Sequence, residues 1–241
     1  MRSSTVDAPQ QRVWDLPVRL FHWLIVLLLG LLWYTGDVGG LDISLPLPGG
    51  KTLFLANMDL HMLAGQTVLA LVLFRVLWGV AGSTTARFAA FVRGPKAALA
   101  YLKATLRGDA PVTFGHNPAG GLMIVLMLGL LLAQGVTGLF ASDDLFSEGP
   151  LAHLVGSDVS GRLTELHGWL FKALLAAAAV HVAVILTYLL RGKNLVRAMV
   201  TGRAPHVPNP ANGAAVRWAP TWLAAVLLAL AGLAVWSLRW L

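Results

Sequence analysis

Residues 163–190 read Leu-Thr-Glu-Leu-His-Gly-Trp-Leu-Phe-Lys-Ala-Leu-Leu-Ala-Ala-Ala-Ala-Val-His-Val-Ala-Val-Ile-Leu-Thr-Tyr-Leu-Leu. The run is apolar enough to cross a bilayer, which takes about 20 helical residues, yet it holds two imidazoles, His167 and His181. An imidazole in hydrocarbon is costly unless something there uses it, so intramembrane ionisable groups read as functional. The two are 14 residues apart. At about 100° and 1.5 Å per residue, the second returns to within about 40° of the first after about 21 Å. One helix face therefore offers a ligand near each membrane surface.

Working outward, similar apolar runs lie at about 17–36, 60–82, 119–140 and 220–240. The chain is 57% hydrophobic and 12% charged, with mean hydropathy +0.71. These values describe an all-α integral membrane protein; a membrane barrel would need shorter strands of alternating hydrophobicity. The expected divisions are 1–16, a cytoplasmic segment; 17–202, a membrane domain; 203–219, a cytoplasmic Pro/Gly/Asn linker; and 220–241, a C-terminal transmembrane helix. The first 16 residues carry Arg2 and Arg12 but no short apolar core with a small-residue cleavage site, so the first apolar run is expected to stay in the protein. Cysteine is absent, which excludes disulfides, thiolate metal sites, iron-sulfur clusters and covalently attached c-type haem.

The connections divide by charge. The 83–118 connection carries Arg87, Arg93, Lys96, Lys103 and Arg107, and the 191–219 connection carries Arg191, Lys193, Arg197, Arg203 and Arg217. The 37–59 connection has Asp37, Asp42 and Asp59, and the 141–162 connection has Asp143, Asp144, Glu148 and Asp158. By the positive-inside rule the N-terminus is cytoplasmic and the C-terminus periplasmic, in a multi-pass bacterial inner membrane protein. The net charge of +7 is mostly this orientation signal, and the juxtamembrane position of the basic residues speaks for lipid and not nucleic acid as the partner. From Pro95 onward, Lys96, Lys103 and Arg107 share one face and Leu99, Leu102 and Leu106 another, the pattern of an interfacial helix. Trp218 and Trp222 at one end of the last span, and Trp236 and Trp240 at the other, fit two interfacial belts. No internal repeat stands out.

This topology sorts the histidines by depth. His61 and His167 each begin a span that enters from outside, whereas His22 and His181 lie toward the cytoplasm. Two pairs result, His61 with His167 and His22 with His181. Each joins different helices, as two axial ligands on opposite faces of one porphyrin require. A lone apolar-face histidine is more often a satisfied core residue. A zinc or proton-relay role is the other alternative, although about 21 Å along one helix forbids a single four-histidine metal site.

Three signatures carry a family resemblance: Val-Trp-Asp-Leu-Pro-Val-Arg-Leu-Phe-His-Trp at 13–23; Asp-Leu-His-Met-Leu-Ala-Gly at 59–65 with Phe-Arg-Val-Leu-Trp-Gly at 74–79; and Leu-His-Gly through Val-His-Val at 166–182. Over about residues 13–202 the chain resembles the bacterial cytochrome b561 family, which includes the cytochrome b subunits of nickel-iron hydrogenases. The resemblance implies a four-helix haem-binding bundle with two b-type haems ligated by His22, His61, His167 and His181, moving electrons between a quinone pool and a redox partner. The fifth helix departs from the pattern of the smaller members.

Arg75 lies 14 residues past His61 and suits a haem propionate, since such carboxylates need a cation in a low-dielectric setting; the alternative is a snorkelling side chain. Arg19 and Lys172 carry the same two readings, Lys172 toward the outer haem or a quinone. His116, His153 and His206 read as solvated or capping residues, the first two near surfaces where a quinone proton leaves. Gly65, Gly129, Gly135, Gly138 and Gly168 make room for porphyrin or for close helix packing. Gln134 and Thr137 read as hydrogen-bonding across helices.

The expected function is a respiratory di-haem cytochrome b between quinone and a periplasmic redox protein such as a c-type cytochrome. The alternatives are a quinone-coupled superoxide or small-acceptor oxidoreductase and a haem-free histidine-relay transporter.

Overall fold

The computed structural model describes residues 10–143, 147–205 and 215–241; Asp144 and His206, named above, lie outside the described residues. Its main elements are β1 (Gln11–Arg12), α1 (Leu16–Trp33), β2 (Ile43–Pro46), β3 (Thr52–Leu55), α2 (Asn57–Ala81), α3 (Phe88–Phe91), α4 (Gly94–Arg107), α5 (Pro118–Leu139), α6 (Ser157–Leu190), α7 (Leu195–Thr201), β4 (Arg203–Ala204) and α8 (Thr221–Ser237). Among the described residues five helices, α1, α2, α5, α6 and α8, are long and apolar enough to cross a membrane, so the protein is an all-α membrane protein.

The span boundaries read from the sequence agree to within a few residues except at α6. Its 34 residues amount to about 51 Å of helix against about 30 Å of hydrocarbon. It begins at Ser157, with Asp158, Arg162 and Glu165 in its first turns, because helical hydrogen bonding continues past the point where apolar residues stop. Two small sheets were not expected. One is a hairpin in the 37–59 connection, where Ile43 pairs with Leu55 and Pro46 with Thr52; the other is β1 against β4.

The chain forms two compact units. One comprises the described chain up to Leu20 with Val76–Met127 and Ala177–Ala224. Here the Trp-Asp-Leu-Pro motif is a clasp. Asp15 is buried; one carboxylate oxygen accepts from the Val18 N–H (2.9 Å), covering an orphan donor of the first turn of α1. The other accepts from the indole N–H of Trp78 (3.0 Å), itself fully buried. The N–H groups of Val13 and Trp14 donate to the Gly202 carbonyl (2.8 and 3.1 Å), and Arg19 donates to the Val200 carbonyl. Gly202 ends α7 with φ +77°, and a Cβ there would lie 2.8 Å from the Trp14 carbonyl oxygen, so both backbone and space require glycine. The far end of the linker is pinned as well: the Ala219 N–H donates to Ser83 Oγ and the Arg217 N–H to Thr84 Oγ1. Burial, then a hydrogen bond with Tyr188, pushes the phenol of Tyr101 on α4 up to about 12, so it stays neutral through the physiological range.

The other unit comprises Phe21–Arg75, Leu128–Ala176 and Ala225–Leu241. Leu69, Leu139, Leu151 and Val235 form a buried cluster, and Arg239 donates to Gln66 Oε1 (2.8 Å). These contacts fix the end of α8 against α2 and the end of α5.

Candidate functional site

Within this second unit α2 brings His61, and α6 brings His167, to face one another, with ring centroids 6.4 Å apart and planes at 70°. Each ring is seated by a Thr-Gly dipeptide from a different helix end. On the His61 side the α1 helix widens into a π-turn over Tyr34–Val38, a local feature often found at functional sites. The Thr35 hydroxyl donates to the Leu31 carbonyl (2.8 Å), so its oxygen accepts from His61 Nδ1–H (2.9 Å). The Thr35 carbonyl accepts from Asn57 Nδ2 (2.7 Å), tying the widened turn to the start of α2, four residues before His61. A Cβ on Gly36 would lie 2.9 Å from His61 Cε1.

The His167 side repeats this. The Thr137 hydroxyl donates to the Ala133 carbonyl (2.9 Å) and lies 3.1 Å from His167 Nδ1. His167 Nδ1 is also 3.0 Å from the Gln134 carbonyl, which can only accept, so Nδ1 carries the hydrogen here too. A Cβ on Gly138 would lie 3.0 Å from His167 Cε1. Both rings are thus held as the Nδ1–H tautomer, the arrangement by which outer partners present Nε2 as a lone-pair donor to a metal.

The spacing discriminates between metal sites. Two metal–nitrogen bonds of about 2.0 Å and the inner halves of two rings set facing imidazole centroids about 6.3 Å apart. The observed 6.4 Å matches. Among the described residues no three His, Cys, Asp or Glu side chains converge; an iron porphyrin needs only two protein ligands, because the macrocycle supplies four nitrogens.

A family profile described as prokaryotic cytochrome b561 matches residues 13–202. The chain belongs to the prokaryotic cytochrome b561 family. No curated protein and no solved structure matches it. Membership makes it a membrane b-type cytochrome of electron transfer, and the seated imidazole pair is chemically suited to a cytochrome b561 haem.

The other candidates are placed as follows. His22, on α1 in the same unit as His61, has its ring edge-on to Trp23 at 5.0 Å. His181, on α6, belongs to the first unit and is half-buried. Arg75 is 3% exposed, which takes it out of the snorkelling class and makes it a buried intramembrane cation. Arg19 serves the clasp to α7. Lys172 is exposed, its Nζ 4.4 Å from the centre of the Trp169 ring. His116 is not simply solvated: its ring lies 4.2 Å from that of Trp14 and 4.8 Å from that of Phe91, and neighbouring Asn117 caps the Gly120 N–H (2.8 Å). His153 is exposed and lines a small cavity with Glu148 and Ser157. The glycines separate too. Gly138 receives an imidazole, Gly135 would place a Cβ 3.0 Å from Leu69 and so serves helix packing, and Gly129 and Gly168 meet nothing within 4 Å.

Sequence reasoning missed Thr35 and Gly36, and read Thr137 as generic cross-helix bonding. A signal was present: the dipeptide Thr-Gly recurs at 35–36 and 137–138 near the ends of two apolar runs, 26 and 30 residues from the histidine that each threonine holds.

Proposed function

We propose that this cytochrome b561 carries electrons across the bilayer between the quinone pool and a periplasmic redox protein such as a c-type cytochrome, using two b-type haems. In this reading His61 and His167 ligate the outer haem, and His22 and His181 the inner one. The carrying observation is the pair of facing imidazoles, each fixed as the Nδ1–H tautomer by its own threonine. When bound, a haem supplies a reversible one-electron couple. The chain's own contribution is to occupy both axial positions, which disfavours a direct ligand at iron, and to fix depth and electrostatics. The test is a reduced-minus-oxidised spectrum with haem extraction: two haem b per chain are expected, and a protein that carries none in a membrane supplied with haem would return the histidines to a relay role.

Residues 17–202 form the di-haem domain in this reading, with the N-terminus cytoplasmic, the C-terminus periplasmic and 220–241 an added transmembrane helix. Arg75 faces a propionate of the inner haem, because a guanidinium that is 3% exposed needs anionic company in a low dielectric. Arg75→Leu is expected to lower inner-haem occupancy or make that haem's potential more negative, since loss of a nearby cation destabilises the added electron. An unchanged redox titration at full haem content would remove this role. Arg19 and Lys172 rank behind it, given their contacts with Val200 and Trp169.

Asp143, Glu148 and Asp158 lie in or next to the connection leading to His167 and offer a negative surface to a basic carrier. Electron transfer to a basic cytochrome c is expected to slow with salt, because the Debye length is about 8 Å at physiological ionic strength, and to slow further in Asp143→Asn. Rates indifferent to both would exclude this docking surface.

A further inference from the structure

The two imidazole seats correspond position by position. Thr35 and Gly36 match Thr137 and Gly138; the Thr35 hydroxyl reaches the Leu31 and Leu32 carbonyls, and the Thr137 hydroxyl the Ala133 and Gln134 carbonyls. The correspondence breaks at one side chain. Where the His61 seat has Leu32, the His167 seat has Gln134. Its amide nitrogen lies 2.9 Å from His167 Nε2, the nitrogen left as a lone-pair donor once Nδ1–H is committed to the Gln134 carbonyl and Thr137. Gln134 therefore closes on both nitrogens of one ring, with its backbone oxygen at one and its side chain at the other. Its Oε1 is buried and has no hydrogen-bond partner among the described residues, so the Nε2 contact is what holds this amide in an apolar setting.

We propose that Gln134 guards the iron-binding nitrogen of His167. While the site lacks haem, the amide donates to Nε2 and holds the imidazole upright and in the ligating tautomer; before iron binds, the amide must leave that nitrogen. The His167 half of the outer site is thus harder to load than the His61 half, where an apolar leucine stands in the same position. Gln134 is a positioning residue that acts on the haem through His167. This inference rests on the ligand assignment made above for the outer haem.

The test uses the full-length protein in detergent, stripped of outer haem and titrated with haemin, with binding read from the Soret band and the inner haem retained as a monitor of folding. Gln134→Leu, which makes the two seats alike, is expected to bind outer haem about two- to tenfold more tightly, the range spanned by one net hydrogen bond. The loaded spectrum should not change, because the amide has already left Nε2. Leu32→Gln places an amide over His61 and is expected to weaken loading by a similar factor. Equal or weaker binding in Gln134→Leu, with the inner haem intact, overturns the proposal. His167→Ala separates this from failure of the ligand assignment: if that variant keeps its outer haem, the assignment itself is wrong, whereas its loss beside an indifferent Gln134→Leu overturns only the guard.

Discussion

Replacing His167 by alanine is expected to remove one haem of two and leave the other spectroscopically unchanged. His61→Ala should do the same to the same haem, while His22→Ala and His181→Ala should each remove the other. Bis-histidine ligation is lost outright when one axial imidazole goes, so the expected change is close to all or none at that site. Haem content per chain and the remaining redox midpoint together report it. The geometry makes the outer pair the sharper case, because His61 and His167 already stand 6.4 Å apart. A His61→Ala variant that loses the same haem as His22→Ala would break the pairing, and one that keeps both haems would break the ligand set.

The second large effect is expected at glycines that touch no charged group. Gly36→Val and Gly138→Val would each place carbon where a Cβ alone already comes within 2.9 or 3.0 Å of an imidazole Cε1. The backbones of α1 and α5 cannot retreat without losing the Thr35 and Thr137 hydrogen bonds on the adjacent residue, so the ring must turn, and its Nε2 turns with it. Loss of the outer haem is expected from either substitution. Gly232→Val on α8, where a Cβ meets nothing within 4 Å, is the control that should keep both haems. The threonines are a graded version of the same experiment. Thr35→Val or Thr137→Val removes the group that orients a ligand, a change that typically costs about 10- to 100-fold in metal affinity. Full outer-haem occupancy in both glycine variants would mean that the cradles are incidental packing.

Much of this was legible in the chain because hydrophobic length is a local property. Five runs of about 20 apolar residues cannot be buried in a soluble core of this size, and the helices at Leu16–Trp33, Asn57–Ala81 and Pro118–Leu139 begin and end close to where their composition changes. The pairing of His61 with His167 was legible for a related reason: depth follows from counting residues along a helix of known rise. What counting along one helix does not provide is the rotation of one helix against another. Thr35 meets His61, and not a lipid, because of a π-turn that shifts the register at Tyr34–Val38, and nothing in apolar periodicity announces that shift. The β2–β3 hairpin was hidden for a different reason: Pro46, Pro48, Gly49 and Gly50 read as loop, whereas the glycines supply the positive φ of its turn (83° and 75°). Arg19 shows how a motif with one evident role has another. Its guanidinium looked like a partner for a cofactor, and it serves instead to hold a carbonyl 181 positions away.

That long reach has a consequence for how the protein is made. The clasp joins residues at the beginning of the chain to Val200 and Gly202, so the partner of Val13 and Trp14 does not exist until four membrane spans have been synthesised. At about 5–20 residues per second, the first segment waits about 10 to 40 seconds for it. During that time β1 has no β4 to pair with and the buried seats of Asp15 and Trp14 are incomplete, which leaves the newborn chain with an unmatched strand edge and an uncovered indole. A chain that stalls short of Gly202 never closes the clasp. The same contacts that hold the finished protein thereby distinguish a complete product from a truncated one, and a quality-control protease has an exposed segment to seize only in the second.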